Sequence, residues 1–130
     1  MLFSYPVTIP HNTPKDNPLI QRLTITRGVV RRIGIFFPFG CMGLVKCRIR
    51  HGDHPVFPAN IDGYVYSDNE TIEAEYFVYM NTPPYELVFE AYNEDEVFDH
   101  TVNVRLNVLP LWALNPFSNQ MYEMMQEEIV

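Results

Sequence analysis

Cysteine occurs only twice in this chain of 130 residues, which excludes a disulfide framework and a four-ligand zinc site. No apolar run approaches the ~20 residues that a bilayer-spanning helix needs. Met1-Leu2-Phe3-Ser4-Tyr5-Pro6 lacks the basic start and apolar stretch of a secretory signal, so no signal peptide and no membrane partner are expected. Charged residues are scarce, at 19% against an ordinary quarter. No G-x-S-x-G elbow, glycine-rich phosphate loop or dinucleotide fingerprint occurs, and the D-x-D-x-D-G register of a calcium loop is missing. What remains is 47% hydrophobic and 14% aromatic, too rich in aromatic and β-branched residues for disorder. The length suits a single core.

Basic residues almost vanish after position 50. Residues 1–50 carry eight of them (Lys15, Arg22, Arg27, Arg31, Arg32, Lys46, Arg48 and Arg50) against Asp16 alone, a net +7. Residues 51–130 carry Arg105 against fifteen acids, a net −14. Either basic strands face acidic strands within one chain, each pair contributing about 0.2–1 kcal/mol, or a basic face on one copy meets an acidic face on the next. A polyanion on the basic face is a third reading, opposed by the acidity of the whole.

Alternation with period two dominates. In Leu44–Arg50, Val45, Cys47 and Ile49 point one way and Lys46, Arg48 and Arg50 the other. Thr101–Val108, Thr71–Met80 and Tyr85–Asn93 repeat the scheme; weaker candidates are Phe3–Ile9, Ile20–Thr26, Val29–Phe37, Val56–Phe57 and Gly63–Tyr66. Asn60-Ile61-Asp62-Gly63, Ser67-Asp68-Asn69-Glu70, Asn81-Thr82-Pro83-Pro84 and Asn93-Glu94-Asp95-Glu96 supply turns, and Arg27-Gly28 could close a hairpin. Eight or nine short strands so punctuated predict an all-β fold: an antiparallel, jelly-roll-like β-sandwich over 1–110. Residues 111–130 are expected to form a C-terminal arm or short helix. Asn115 or Ser118 would cap it, and Met121, Met124, Met125 and Ile129 would make its apolar stripe. Three turns are marginal alone, so the arm must dock.

Few residues suggest chemistry. His51-Gly52-Asp53-His54 gathers two imidazoles and a carboxylate, but no H-x-x-x-H helix or C-x-x-C pair supports a metal, and a polar loop is the simpler reading. Asp68, Glu70, Glu94-Asp95-Glu96 and Asp99 read as solvated turns; as a glycosidase pair they lack a cleft. Cys41 is expected exposed in its loop and Cys47 buried, unpaired and without an activating base. No catalytic residue, cofactor or metal is assigned. The chain is expected not to be an enzyme.

Binding is the better expectation. Arg31, Arg32, Arg48 and Arg50, with Phe36, Phe37 and Phe39 between them, could line the groove of an OB-like single-strand binder, which the net acidity opposes. Phe77, Tyr79 and Tyr92 fall on outer faces, where exposed aromatics mark contact with another chain or a glycan. Trp112, Phe117, Met121, Met124 and Met125 suit an arm docked on a neighbouring subunit, and Arg31, Arg32, Arg48 and Arg50 suit the charged part of that interface.

Several stretches taken together carry a likeness: Thr24–Val30; Phe37-Pro38 with Gly40-Cys41-Met42-Gly43-Leu44-Val45; Asn60-Ile61-Asp62-Gly63; and Pro83-Pro84-Tyr85-Glu86-Leu87 through Glu90-Ala91-Tyr92-Asn93-Glu94-Asp95 to His100-Thr101. Over roughly residues 5–110 the chain resembles small uncharacterised β-rich structural proteins of bacterial viruses. The resemblance implies a capsid accessory, decoration or vertex protein, made in the host cytoplasm and carried in the virion. It would self-associate and bind other capsid proteins. It implies no individual site. A carbohydrate-binding module is the alternative, and the single-strand binder a second.

Overall fold

A computed structural model of the chain describes residues 1–110 and Trp112. The arm's Phe117, Met121, Met124 and Met125, and the helix expected there, lie outside the described residues. The strands are β1 (Leu2–Ile9), β2 (Leu19–Thr24), β3 (Gly28–Phe37), β4 (Val45–His51), β5 (His54–Phe57), β6 (Glu70–Met80), β7 (Glu86–Asn93) and β8 (His100–Leu109). They form two antiparallel sheets, β1-β8-β3-β6 and β2-β7-β4-β5. The expected all-β sandwich is therefore what forms.

The alternation read from sequence sorts the layers. Val45, Cys47 and Ile49 of β4, Leu87, Phe89 and Ala91 of β7, and Val102, Val104, Leu106 and Val108 of β8 are all fully buried. They meet Ile33, Ile35 and Phe37 of β3 in one core, with Ile72, Ala74, Tyr76 and Val78 of β6 packed at its margin. Burial of each large side chain contributes about 1.5–3 kcal/mol.

Pairing is nested: β1 with β8, β2 with β7, β3 with β6 and β4 with β5. Only β4 and β5 are joined by a tight turn within one sheet, with His51 opposite His54 and Gly52 at φ 59°. Every other connection crosses between sheets.

Two expectations fail here. Arg27-Gly28 does not close a hairpin, because β2 pairs with β7 in one sheet and β3 with β6 and β8 in the other. Gly28 instead starts β3 hard against β8: at φ 156°, a Cβ there would lie 2.5 Å from the Leu109 carbonyl oxygen. Gly63–Tyr66 is not a full strand either. Val65 alone bridges Cys47, filling the place beside β4 that short β5 leaves open.

β3 also hides its alternation. Against β8 its register shifts between Val30 and Arg32, where Arg31 is an extra residue; against β6 the same stretch faces Tyr76 and Phe77, so β6 carries the extra residue, and both arginines stand exposed.

Candidate functional site

Four of the six crossing connections gather at one end of the sandwich. Ile9 faces His100, Val45 faces Asn93 and Phe37 faces Glu70, so residues 10–18, 94–99, 38–44 and 58–69 lie side by side there in that order. Backbone bonds join neighbours: Asn12 N to Asp95 O (2.9 Å), Glu94 N to Leu44 O (2.9 Å) and Gly43 N to Ser67 O (3.3 Å).

The two central loops are shaped by carboxylates, one from the neighbouring residues 58–69 and one of their own. In residues 38–44, the amides of Gly40 and Met42 donate to one Asp68 carboxylate oxygen at 2.8 and 3.1 Å. Gly40, Met42 and Gly43 all have positive φ (108°, 49° and 72°), a strained course for methionine. That course buries Cys41 and turns Phe39 (83% exposed) and Met42 (73%) outward.

In residues 94–99, Asp95 accepts from the amides of Val97 (2.9 Å) and Phe98 (3.0 Å) and meets His100 Nε2 at 2.8 Å. His11 meets Asp99 through its amide (2.8 Å) and its ring Nδ1 (2.7 Å). Asn93, buried beneath, donates to the carbonyls of Ile9 and Phe98 and accepts from the Asp95 amide. Val97 and Phe98 are about two-thirds exposed on this frame.

These bonds carry a pH signature. Asp95 is held down to about 2 by the Val97 amide first, then by His100 and the Phe98 amide. Asp99 is lowered by the His11 amide and ring. Both carboxylates are more acidic folded than unfolded. They therefore stabilise the fold above pH about 4, and that contribution is lost as pH falls toward 2. Melting curves between pH 5 and 2 are expected to show a falling Tm, with a shallower fall in Asp95→Asn.

Five of the eight basic residues in 1–50 pair with acids of the same chain. Arg22 pairs with Glu86 (3.2 Å), Arg32 with Glu75 (2.8 Å), Lys46 with Glu94 (3.1 Å), and Arg48 and Arg50 both with Glu90. Arg31 and Arg32 stand on the outer face of the β1-β8-β3-β6 sheet, and Arg48 and Arg50 on that of the other sheet. No single basic groove joins them, and two four-stranded sheets are not an OB-like barrel. Of the phenylalanines expected between them, Phe37 fills the core, Phe36 lies beneath the Arg105 guanidinium, and Phe39 is the exposed loop residue.

The aromatics divide in the same way. Phe77 is exposed and Tyr79 half-buried on β6, whereas Tyr92 is on β7 in the opposite sheet, so the three do not form one ligand face. Tyr92 packs edge-on against Tyr64 at 5.0 Å, with the Arg48 guanidinium 4.9 Å from the Tyr64 ring centre. Lys46 lies 4.3 Å from the Tyr66 ring centre. Tyr64 and Tyr66 were not expected; their signal was the alternation around Val65.

Cys41 is buried, not exposed as its loop position suggested. Burial, then the Asp68 charge, pushes its thiol up to about 11, and burial raises Cys47 well above the ordinary thiol range. Neither is primed as a nucleophile. His51, Asp53 and His54 belong to the β4–β5 turn, and among the described residues no three His, Cys, Asp or Glu side chains are grouped to hold a metal. Of the expected arm, Trp112 is described, and it is 77% exposed. Comparison with known proteins finds no matching family, no matching curated protein and no matching solved structure.

Proposed function

We propose that the chain is a viral structural protein, an accessory, decoration or vertex component of a phage capsid. On this reading it resides in the virion, is not an enzyme, and acts by self-association and by binding other capsid subunits. The nested strand order supports a jelly roll, an architecture common to capsid and lectin domains. Fold alone does not give function.

The observation that carries the reading is the loop end. Phe39, Met42, Val97 and Phe98 are exposed on two adjacent loops whose backbone amides are pinned by the carboxylates of Asp68 and Asp95. Apolar tips fixed in advance lose little freedom on docking. The internal ion pairs shift the expected contact from charge to apolar side chains.

Light scattering on the full chain tests this. A mass above the 15.2 kDa monomer is expected. It should fall in the Phe39→Ser/Phe98→Ser double variant and respond little to salt. Aromatic anchors cost about 2 kcal/mol each when truncated, so association should weaken by at least ~30-fold. A monomer at every concentration, or an oligomer indifferent to these two residues, would overturn the proposed role of the loop end.

A further inference from the structure

A cleft of about 520 Å³ opens on the outer side of β4, between the β4–β5 turn and residues 58–69. Its lining includes Arg50, Asp53, His54, Pro55, Ile61 and Asp62. The guanidiniums at its base are already fixed. Arg48 is held by Glu90 and donates to the Ile61 carbonyl at 3.2 Å, while Arg50 donates to the Gly52 carbonyl at 2.7 Å. Each keeps further N–H donors. The side chains of Asp53, His54 and Asp62 make no hydrogen bond or ion pair among the described residues.

We infer that this cleft binds a neutral carbohydrate. Two carboxylates beside the arginines, with Glu90 behind them, leave no net positive charge to select an anion. Among the described residues the carboxylates and imidazole are not grouped as metal ligands. What the cleft offers is acceptors and donors side by side with Pro55 and Ile61 as an apolar wall. A sugar matches that set. Each hydroxyl both donates and accepts, a carboxylate takes two donors, a guanidinium supplies them, and the C–H face of the ring meets the apolar wall. Among the described residues no Phe, Tyr or Trp ring lines the cleft, so a single site should bind weakly, and repeated copies on an assembled surface would raise avidity. The inference does not depend on the assembly reading.

The test is an amide-resolved NMR titration of the full chain with neutral oligosaccharides built on glucose, galactose, mannose and N-acetylglucosamine. Saturable shifts are expected at Gly52, Asp53, His54, Ile61 and Asp62. The exposed pair Asp53→Ala/Asp62→Ala should weaken binding at least about tenfold while the remaining spectrum stays native. Phe39→Ser/Phe98→Ser, which lie outside the cleft, should leave the affinity of each single site for sugar unchanged whatever happens to the oligomer, which separates this inference from the assembly reading. Silence toward every sugar in folded protein would overturn it. So would shifts confined to the loop end, undiminished binding by the double aspartate variant, or a response to phosphate or a divalent cation instead.

Discussion

Asn93→Ala is expected to lower the unfolding free energy by about 3 kcal/mol and to loosen two loops at once. The side chain lies beneath the loop end, where its Nδ2 donates to Ile9 O and Phe98 O at 3.1 Å each and its Oδ1 accepts from Asp95 N at 2.9 Å. Alanine removes all three bonds and strands groups that have little water to turn to. The backbone bond from Asn93 N to Thr13 O and the ladders of β7 with β2 and β4 do not use the side chain, so β7 itself should stay paired. Urea unfolding gives the magnitude. Hydrogen exchange should rise first at Asp95, Val97 and Phe98. Asn93→Asp restores only the acceptor and adds a charge beside Asp95, so it should rescue little. A cost below about 1 kcal/mol would mean that water replaces the side chain.

Little about Asn93 could be read from sequence beyond its place in a turn. Its partner Ile9 lies 84 residues away, and no local pattern reports such a bond. Period-two alternation was legible wherever one face is buried and the register unbroken, as in β4, β7 and β8. It failed in β3, where the extra Arg31 resets the phase. It misled at Arg27-Gly28, because a glycine needed for close approach to Leu109 looks like a turn glycine. Cys41 was misplaced for a related reason: three positive-φ residues fold its loop so that the thiol points inward. The loop-end apolar residues were visible as letters only, since their grouping depends on strand order. The same holds for the cleft, whose walls come from the β4–β5 turn and from residues 58–69.

Glu90→Ala is the second large effect expected, at about 2–3 kcal/mol. Glu90 is 6% exposed and faces both Arg48 and Arg50 on the outer side of its sheet. Its loss leaves two guanidiniums without their carboxylate. The arginine side chains keep about a quarter of their exposure, so water offsets part of the cost. Glu90→Gln retains shape and an acceptor and should cost roughly half as much. A double-mutant cycle with Arg48→Ala measures the coupling itself, expected above about 1 kcal/mol. Zero coupling would show that Arg48 is already satisfied by solvent, and would return the basic stripe to the pool of surfaces open to a partner.

Edge strands decide how copies of such a sandwich can meet. Among the described residues its four rims are β1, β6, β2 and β5, and each is poor at accepting another chain's strand. β1 carries Pro6, and β5 has only four residues, one of them Pro55. β2 is six residues long and follows Pro18. β6 is the longest, yet its pairing with β3 is irregular at Tyr76 and Phe77, and Glu73 and Glu75 stand exposed along it. Proline, brevity, irregularity and charge are the devices by which sheets avoid growing into one another. Contacts between copies are therefore left to side chains. Such contacts can be reversible and specific in angle, where a shared sheet would fuse neighbours into a continuous ribbon.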